Sequence, residues 1–177
     1  FKHGADNKKV VAIGEIGLDP QYAKRKERKE MQLRVFGEML HVAEKLNLPA
    51  IVHSRWAAPK ILDTLSSYNL TGVLWHWFSG PTEILPKILE LGHFVSEGPP
   101  VVFSNRIQEI VKLVPSGRLL TETDGPVSYY EQPFKDTLTT PAFIPDVVKA
   151  IAKLKDLSEE DLANQILHNF SNLFGIS

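Results

Sequence analysis

The stretch Val10-Val-Ala-Ile-Gly-Glu-Ile-Gly-Leu-Asp19 runs from four apolar residues into a carboxylate, with a second carboxylate four residues later. Val10–Ile13 reads as a short buried strand, and Glu15 stands just past it between two glycines that let the backbone turn. A carboxylate there is either a solvated strand end, the commoner case, or a group held in place for chemistry. The rest of the chain decides between them.

The same pattern recurs downstream. Pro49–Val52 is followed by His53, and Gly72–Trp75 by His76. His93–Ser96 reads as a fourth strand, and Arg118–Thr121 as a fifth that runs into Glu122 and Asp124. Helical patterns separate these runs. They fall at Lys24–Leu46 (with Met31, Val35, Met39, Val42 and Leu46 at near-helical spacing), Ala58–Leu65, Pro81–Leu91, Arg106–Leu113, Pro145–Leu154 and Glu159–Leu173. Ser158-Glu-Glu-Asp161 resembles a capping box at the start of the last helix. Strands alternating with helices predict an α/β domain with a parallel sheet over residues 1–177. Asp124–Thr140 lacks periodicity, carries Tyr129, Tyr130 and Phe134, and reads as a long surface loop.

In parallel α/β folds the carboxyl ends of the strands share one face, where active sites are built. Four strands therefore bring Glu15, His53, His76 and Asp124 to one rim. Imidazole and carboxylate together suit a divalent metal ion. Glu97 is read as loop beyond the fourth strand. His3, His41, His93 and His168 are read as structural, and the basic Lys24–Lys29 as a solvated helix start.

Composition bounds the partners. The chain is 43% hydrophobic and 23% charged, with a formal net charge of −1, so no global basic field draws it to a polyanion. Local groups or bound metal must supply any positive charge. It has no cysteine, which excludes disulfides and thiolate metal ligands and fits a cytoplasmic protein. No apolar run of about 18 residues is present to span a membrane, and no signal-peptide pattern is present.

Five stretches, VVAIGEIGLD (10–19), LNLPAIVHSR (46–55), LWHWFSGP (74–81), LLTETDGP (119–126) and NFSNLFGI (169–176), together resemble the TatD-related metal-dependent hydrolases, a deoxyribonuclease family with a (β/α)8 barrel. The resemblance implies that Glu15 bridges two metal ions, that His53 and His76 complete the ligands of one, and that Asp124 serves the other and accepts a proton from the attacking water. It implies supporting roles behind the ligands for Glu122 and Asp19. For Asp19 a helix cap before Pro20 is an equal alternative. Arg55, Trp77, Phe78 and Ser79, in the HSR and HWFSG segments, become candidate substrate contacts, with aromatic faces for bases. Trp75, inside its strand, is expected to pack.

Two departures stand out. The family's His-x-His pair on its first strand has no counterpart here, and neither does the basic Arg-Gly-Lys stretch that usually follows the ETD motif. By resemblance, VVAIGE corresponds to the fourth barrel strand, so only the C-terminal five βα units are expected. A typical barrel of this kind takes about 250 residues. The chain begins at Phe1 rather than Met, as a fragment or processed form would. The expected cofactor is a divalent ion (Mg, Zn or Mn), two in a complete barrel and at most one held tightly here. The expected substrate is DNA, single-stranded or at 3′ ends. Alternatives are hydrolysis of a small ester, amide or lactone, and an incomplete barrel acting as a scaffold. Open sheet edges predict self-association, or completion by a missing N-terminal segment.

Overall fold

The computed structural model describes residues 10–176. His3, one of the four histidines read as structural, lies outside them. Five strands form one sheet in sequence order: β1 (Ile13–Gly17), β2 (Ala50–His53), β3 (Val73–His76), β4 (Phe94–Glu97) and β5 (Leu119–Thr121). Every neighbouring pair is parallel. The helices between and after them are α1 (Lys26–Leu46), α2 (Ala58–Leu65), α3 (Leu85–Glu90), α4 (Asn105–Leu113), α5 (Ile144–Lys155) and α6 (Glu159–Phe174).

Strand alternation sorts the side chains into two layers. One face of the sheet sends Val52, Trp75, Val95 and Leu119 under the helices, against residues such as Phe36, Ile61, Ile110 and Ile151. Trp75 is fully buried there, as expected of a strand residue. The opposite face carries Leu74, Phe94 and Leu120, joined by Leu173 of α6 and flanked by Ile51 and Phe174. It borders a largely apolar cavity of about 510 Å³ that reaches Phe170 and Leu167 of α6. β1 and β5 are the outer strands of an open sheet.

Four details differ from the sequence reading. The first strand lies later than Val10–Ile13, so Glu15 sits within it rather than beyond it. The glycines serve close packing more than turning. A Cβ on Gly14 would lie 2.6 Å from Cβ of Ile51, and one on Gly17 would collide with the carbonyl oxygen of His53. α1 buries Phe36, Leu40 and Ala43, while Met31 and Val35 are half exposed. Met39, Val42 and Leu46 of the expected series pack partly buried against the same core, so the inner stripe centres one residue round, on Phe36, Leu40 and Ala43. Finally, Glu97 is the last residue of β4, not loop, and is fully buried.

The last helix starts as its sequence predicts: Ser158 Oγ accepts the Asp161 N–H at 3.0 Å. Asn169, buried inside α6, ties that helix to the sheet. Its amide donates to the carbonyls of Ser116 and Leu119, each at 2.7 Å.

Candidate metal centre

Parallel register puts the functional side chains side by side. Gly17 is level with His53, and His53 with His76, so β1, β2 and β3 present their carboxyl ends together. Glu15, His53 and His76 each bring one ligand atom within 4.8 Å of the others. Glu15 Oε1 lies 2.7 Å from His53 Nδ1 and 3.5 Å from His76 Nε2. Asp124 stands at the edge of this group, its Oδ1 3.7 Å from His76 Nε2. The four rim residues read from the sequence thus meet at one end of the sheet, three closely and Asp124 alongside.

Both imidazoles are held from behind by a carboxylate. Asp19 Oδ2 lies 3.1 Å from His53 Nε2, and Glu122 Oε1 lies 2.8 Å from His76 Nδ1. Each ring's other nitrogen, Nδ1 of His53 and Nε2 of His76, faces Glu15. A partner on the outer nitrogen fixes ring orientation and strengthens the inner one as a ligand. Asp19 is not a helix cap, because residues 20–22 form a turn and α1 begins only at Lys26; its Oδ1 instead accepts the Gln21 N–H at 2.8 Å and braces that turn.

The supporting carboxylates are themselves held, by residues the sequence reading passed over. Gln32 of α1 clamps the Asp19 backbone, its Oε1 accepting the Asp19 N–H and its Nε2 donating to the Asp19 carbonyl, each at 3.2 Å. The Ser96 hydroxyl donates to Glu122 Oε2, which also accepts the Trp77 N–H at 3.4 Å. The visible signal for Ser96 was its alternation in register with Phe94, which puts it on the same face as His76.

Charge couples the group. The hydrogen bond from His53 holds the Glu15 carboxyl below its usual range; burial opposes this, and the two imidazoles add to it. Burial pulls His76 down, but the hydrogen bond and charge of Glu122, with the charges of Glu15 and Asp124, outweigh it and hold the ring up at about 9. Burial raises the Asp124 carboxyl; His76 pulls against this, and Glu122 and Glu15 reinforce it. Asp124 and Trp77 both adopt left-handed backbone, φ 48° and 38°, a costly conformation for such residues and one that gathers at functional sites.

A cavity of about 360 Å³ opens beside the cluster, with His53, His76 and Asp124 on one wall and Arg55, Trp77 and Ser79 among its lining. Phe78, expected among the substrate contacts, is instead fully buried, edge-on to Trp75 with ring centroids 5.9 Å apart. The left-handed turn at Trp77 reverses the chain and directs Phe78 into the core. Tyr129 packs against both Trp77 and Phe103, 6.3 and 5.5 Å between centroids, so the loop after β5 closes over the cavity's aromatic side.

The profile of the TatD related DNase family matches residues 1–175. The chain belongs to this family. Its relatives include the uncharacterized metal-dependent hydrolase YabD of Bacillus subtilis, 35% identical over 100% of this chain and 70% of its own length. The uncharacterized metal-dependent hydrolase YcfH of Escherichia coli is 37% identical over 94% of this chain and 63% of its own. Among solved structures, the TatD homolog YJJV of Escherichia coli superposes with a TM-score of 0.86 at 26% identity, covering 99% of this chain and 69% of that one. The five-stranded sheet is thus the TatD portion of a TIM-type barrel, and the chain spans about two thirds of the length of the relatives it matches. No helix among the described residues is long and apolar enough to cross a membrane.

Proposed function

We propose that this TatD-family chain carries part of the site of a metal-dependent deoxyribonuclease, with one divalent ion held by Glu15, His53 and His76. The observation that carries the reading is the donor set: three ligand atoms within 4.8 Å, with a carboxylate behind each imidazole. One carboxylate and two imidazoles fit zinc or manganese, with room for a further ligand. When bound, such an ion polarises a phosphoryl oxygen and lowers the pKa of water.

The protein's own groups do the rest. Asp124, whose carboxyl is raised by burial, stands at the mouth of the cluster to accept a proton from water as that water adds to phosphorus; the P–O bond to the leaving sugar oxygen breaks, and that oxygen takes up a proton to leave as a hydroxyl. Glu122 keeps the His76 ring turned so that Nε2 faces inward. Arg55, on the cavity wall, is the cation placed to hold a phosphate by paired N–H donors. Trp77 offers an aromatic face to a neighbouring base. The DNase description of the family supports the choice of phosphodiester over carboxylic ester.

The test is metal-dependent cleavage of labelled single-stranded DNA by the purified chain, run beside small ester and lactone substrates. Glu15→Ala should abolish DNA cleavage, while His41→Ala, on the exposed side of α1, leaves it intact. Ester or lactone turnover without DNA cleavage would overturn the nuclease reading. Equal loss in both variants, each still folded, would overturn the site.

A further inference from the structure

The loop between β1 and α1 and the first turns of that helix form a basic, aromatic ledge that continues from the metal centre. Over Lys24–Glu30 five cations stand against two carboxylates, in a chain whose net charge is −1. Lys26 pairs with Glu30, whereas Lys24, Arg25, Arg28 and Lys29 have no ion-pair partner among the described residues. All four are exposed. A solvated helix start accounts for these cations taken alone. It does not account for what surrounds them.

Two large aromatics stand open beside them: Tyr22 is 71% exposed and Trp56 67%. Trp56 is held in left-handed backbone, φ 54°, one residue after Arg55, whose guanidinium lies 4.7 Å over the indole ring. A depression of about 230 Å³ separates Trp56 and Lys60 from Lys29, Gln32 and Pro20. A second, of about 350 Å³, is lined entirely by Gln21, Tyr22, Lys24, Arg25 and Arg28. Arg55 joins this surface to the metal centre, because it also lines the cavity that holds His53, His76 and Asp124. Asp19 and Gln32 join it a second way, since the loop that carries Tyr22 is the one clamped behind His53.

We infer that this ledge, from Arg55 and Trp56 across to Tyr22 and the Lys24–Lys29 turns, binds the run of single-stranded DNA that extends beyond the scissile phosphate. The inference deepens the nuclease reading and rests on it for the class of polyanion. Exposed aromatics interleaved with unpaired cations are what a single strand needs: faces for unstacked bases and charge along the backbone. Duplex DNA keeps its bases stacked inside and offers no faces to Tyr22 or Trp56. Placing the charge here also supplies a basic element in a chain that lacks the Arg-Gly-Lys stretch after the ETD motif.

The experiment is fluorescence anisotropy of the whole chain, in chelator, with labelled dT3 and dT12 over a range of salt. The twelve-mer should bind at least tenfold tighter than the trimer. Changing Lys24, Arg25, Arg28 and Lys29 together to Gln should remove most of that advantage and reduce the slope of log affinity on log salt by about 3, roughly 0.7 for each phosphate no longer neutralised. Trp56→Ala should weaken dT12 about fivefold or more with the slope unchanged, because stacking releases no counterions. The helix-surface variant tests the ledge even if Trp56→Ala unfolds the turn. Equal affinity for the two oligomers, or wild-type binding of dT12 by the quadruple variant, would overturn the ledge. So would binding to phosphatidylserine vesicles that the same four changes abolish while dT12 binding survives. Cleavage with metal restored separates the two claims. Ledge-dependent binding of dT12 without cleavage removes the nuclease reading and keeps the ledge, and cleavage with no ledge dependence does the reverse.

Discussion

Replacing Glu122 by Gln keeps the shape of the side chain and changes only what it can accept. Three donors converge on this carboxylate: His76 Nδ1 at 2.8 Å, the Ser96 hydroxyl, and the Trp77 N–H at 3.4 Å. A Gln side chain has one acceptor oxygen and one donor nitrogen. If the oxygen faces His76, the amide group meets the Trp77 N–H donor to donor. If the amide faces His76, Nδ1 must give up its hydrogen, and the remaining proton sits on Nε2, the atom turned toward Glu15 and Asp124. Either arrangement weakens the ligand, and loss of such a supporting partner costs about 10–100-fold in metal affinity. That corresponds to about 1.4–2.7 kcal/mol. Isothermal titration of the apo chain with zinc at pH 7.5 measures it directly. Glu122→Gln binding zinc within about twofold of the unsubstituted chain would show that His76 is not held for ligation through Glu122.

Three further expectations concern stability. Asn169→Ala leaves the carbonyls of Ser116 and Leu119 without their donor, and should cost about 2–4 kcal/mol in urea unfolding. A loss below about 0.5 kcal/mol would show that α6 docks without it. Burial, helped by the charge of Arg118, lowers His93 to about 4 while its Nδ1 accepts the Trp75 indole N–H at 3.1 Å. The unfolded chain therefore binds more protons between pH 6.5 and 4, and stability should fall as pH drops through that window, by up to about 3 kcal/mol. His93→Gln should remove most of this slope, and a slope unchanged in that variant would refute the assignment. Glu97 is fully buried with neither carboxyl oxygen hydrogen-bonded, and burial with the nearby Glu122 raises its pKa well above the usual range. Its contribution is lost as pH rises above about 4.5, so Glu97→Met should stabilise the chain at pH 7.5 by about 1–3 kcal/mol and have less effect at pH 4.5. Destabilisation by that substitution at pH 7.5 would show that Glu97 has a partner.

The sequence displays the frame of the site because the rule behind it is simple. A parallel sheet puts all strand carboxyl ends on one face, so a polar residue after each apolar run is a rim residue wherever the exact strand ends fall. Glu15, His53, His76 and Asp124 could be placed on that rim even with the first strand started too early. What depends on local backbone was not legible. Phe78 stands two residues after His76 in an apparent rim segment, yet a left-handed Trp77 turns it into the core. Glu97 followed Ser96 and preceded Gly98-Pro99-Pro100, which reads as a turn, while pairing with Thr121 extends β4 to include it. Gln32 and Asn169 are polar residues inside helices, and only tertiary contact distinguishes a clamp from a solvated side chain. The α1 stripe shows the same limit: two apolar series one residue apart are about 100° apart on the helix, and packing against the sheet selects Phe36, Leu40 and Ala43.

Glu15, His53 and His76 are proposed to hold a metal ion at the carboxyl end of the sheet. Anomalous diffraction at the zinc edge, from crystals of the chain grown with zinc, tests it most directly. The expected result is a single strong peak about 2.0–2.2 Å from Glu15 Oε1, His53 Nδ1 and His76 Nε2, absent from crystals of Glu15→Ala. A peak at any other group of side chains, or none at these three with zinc in excess, would contradict it.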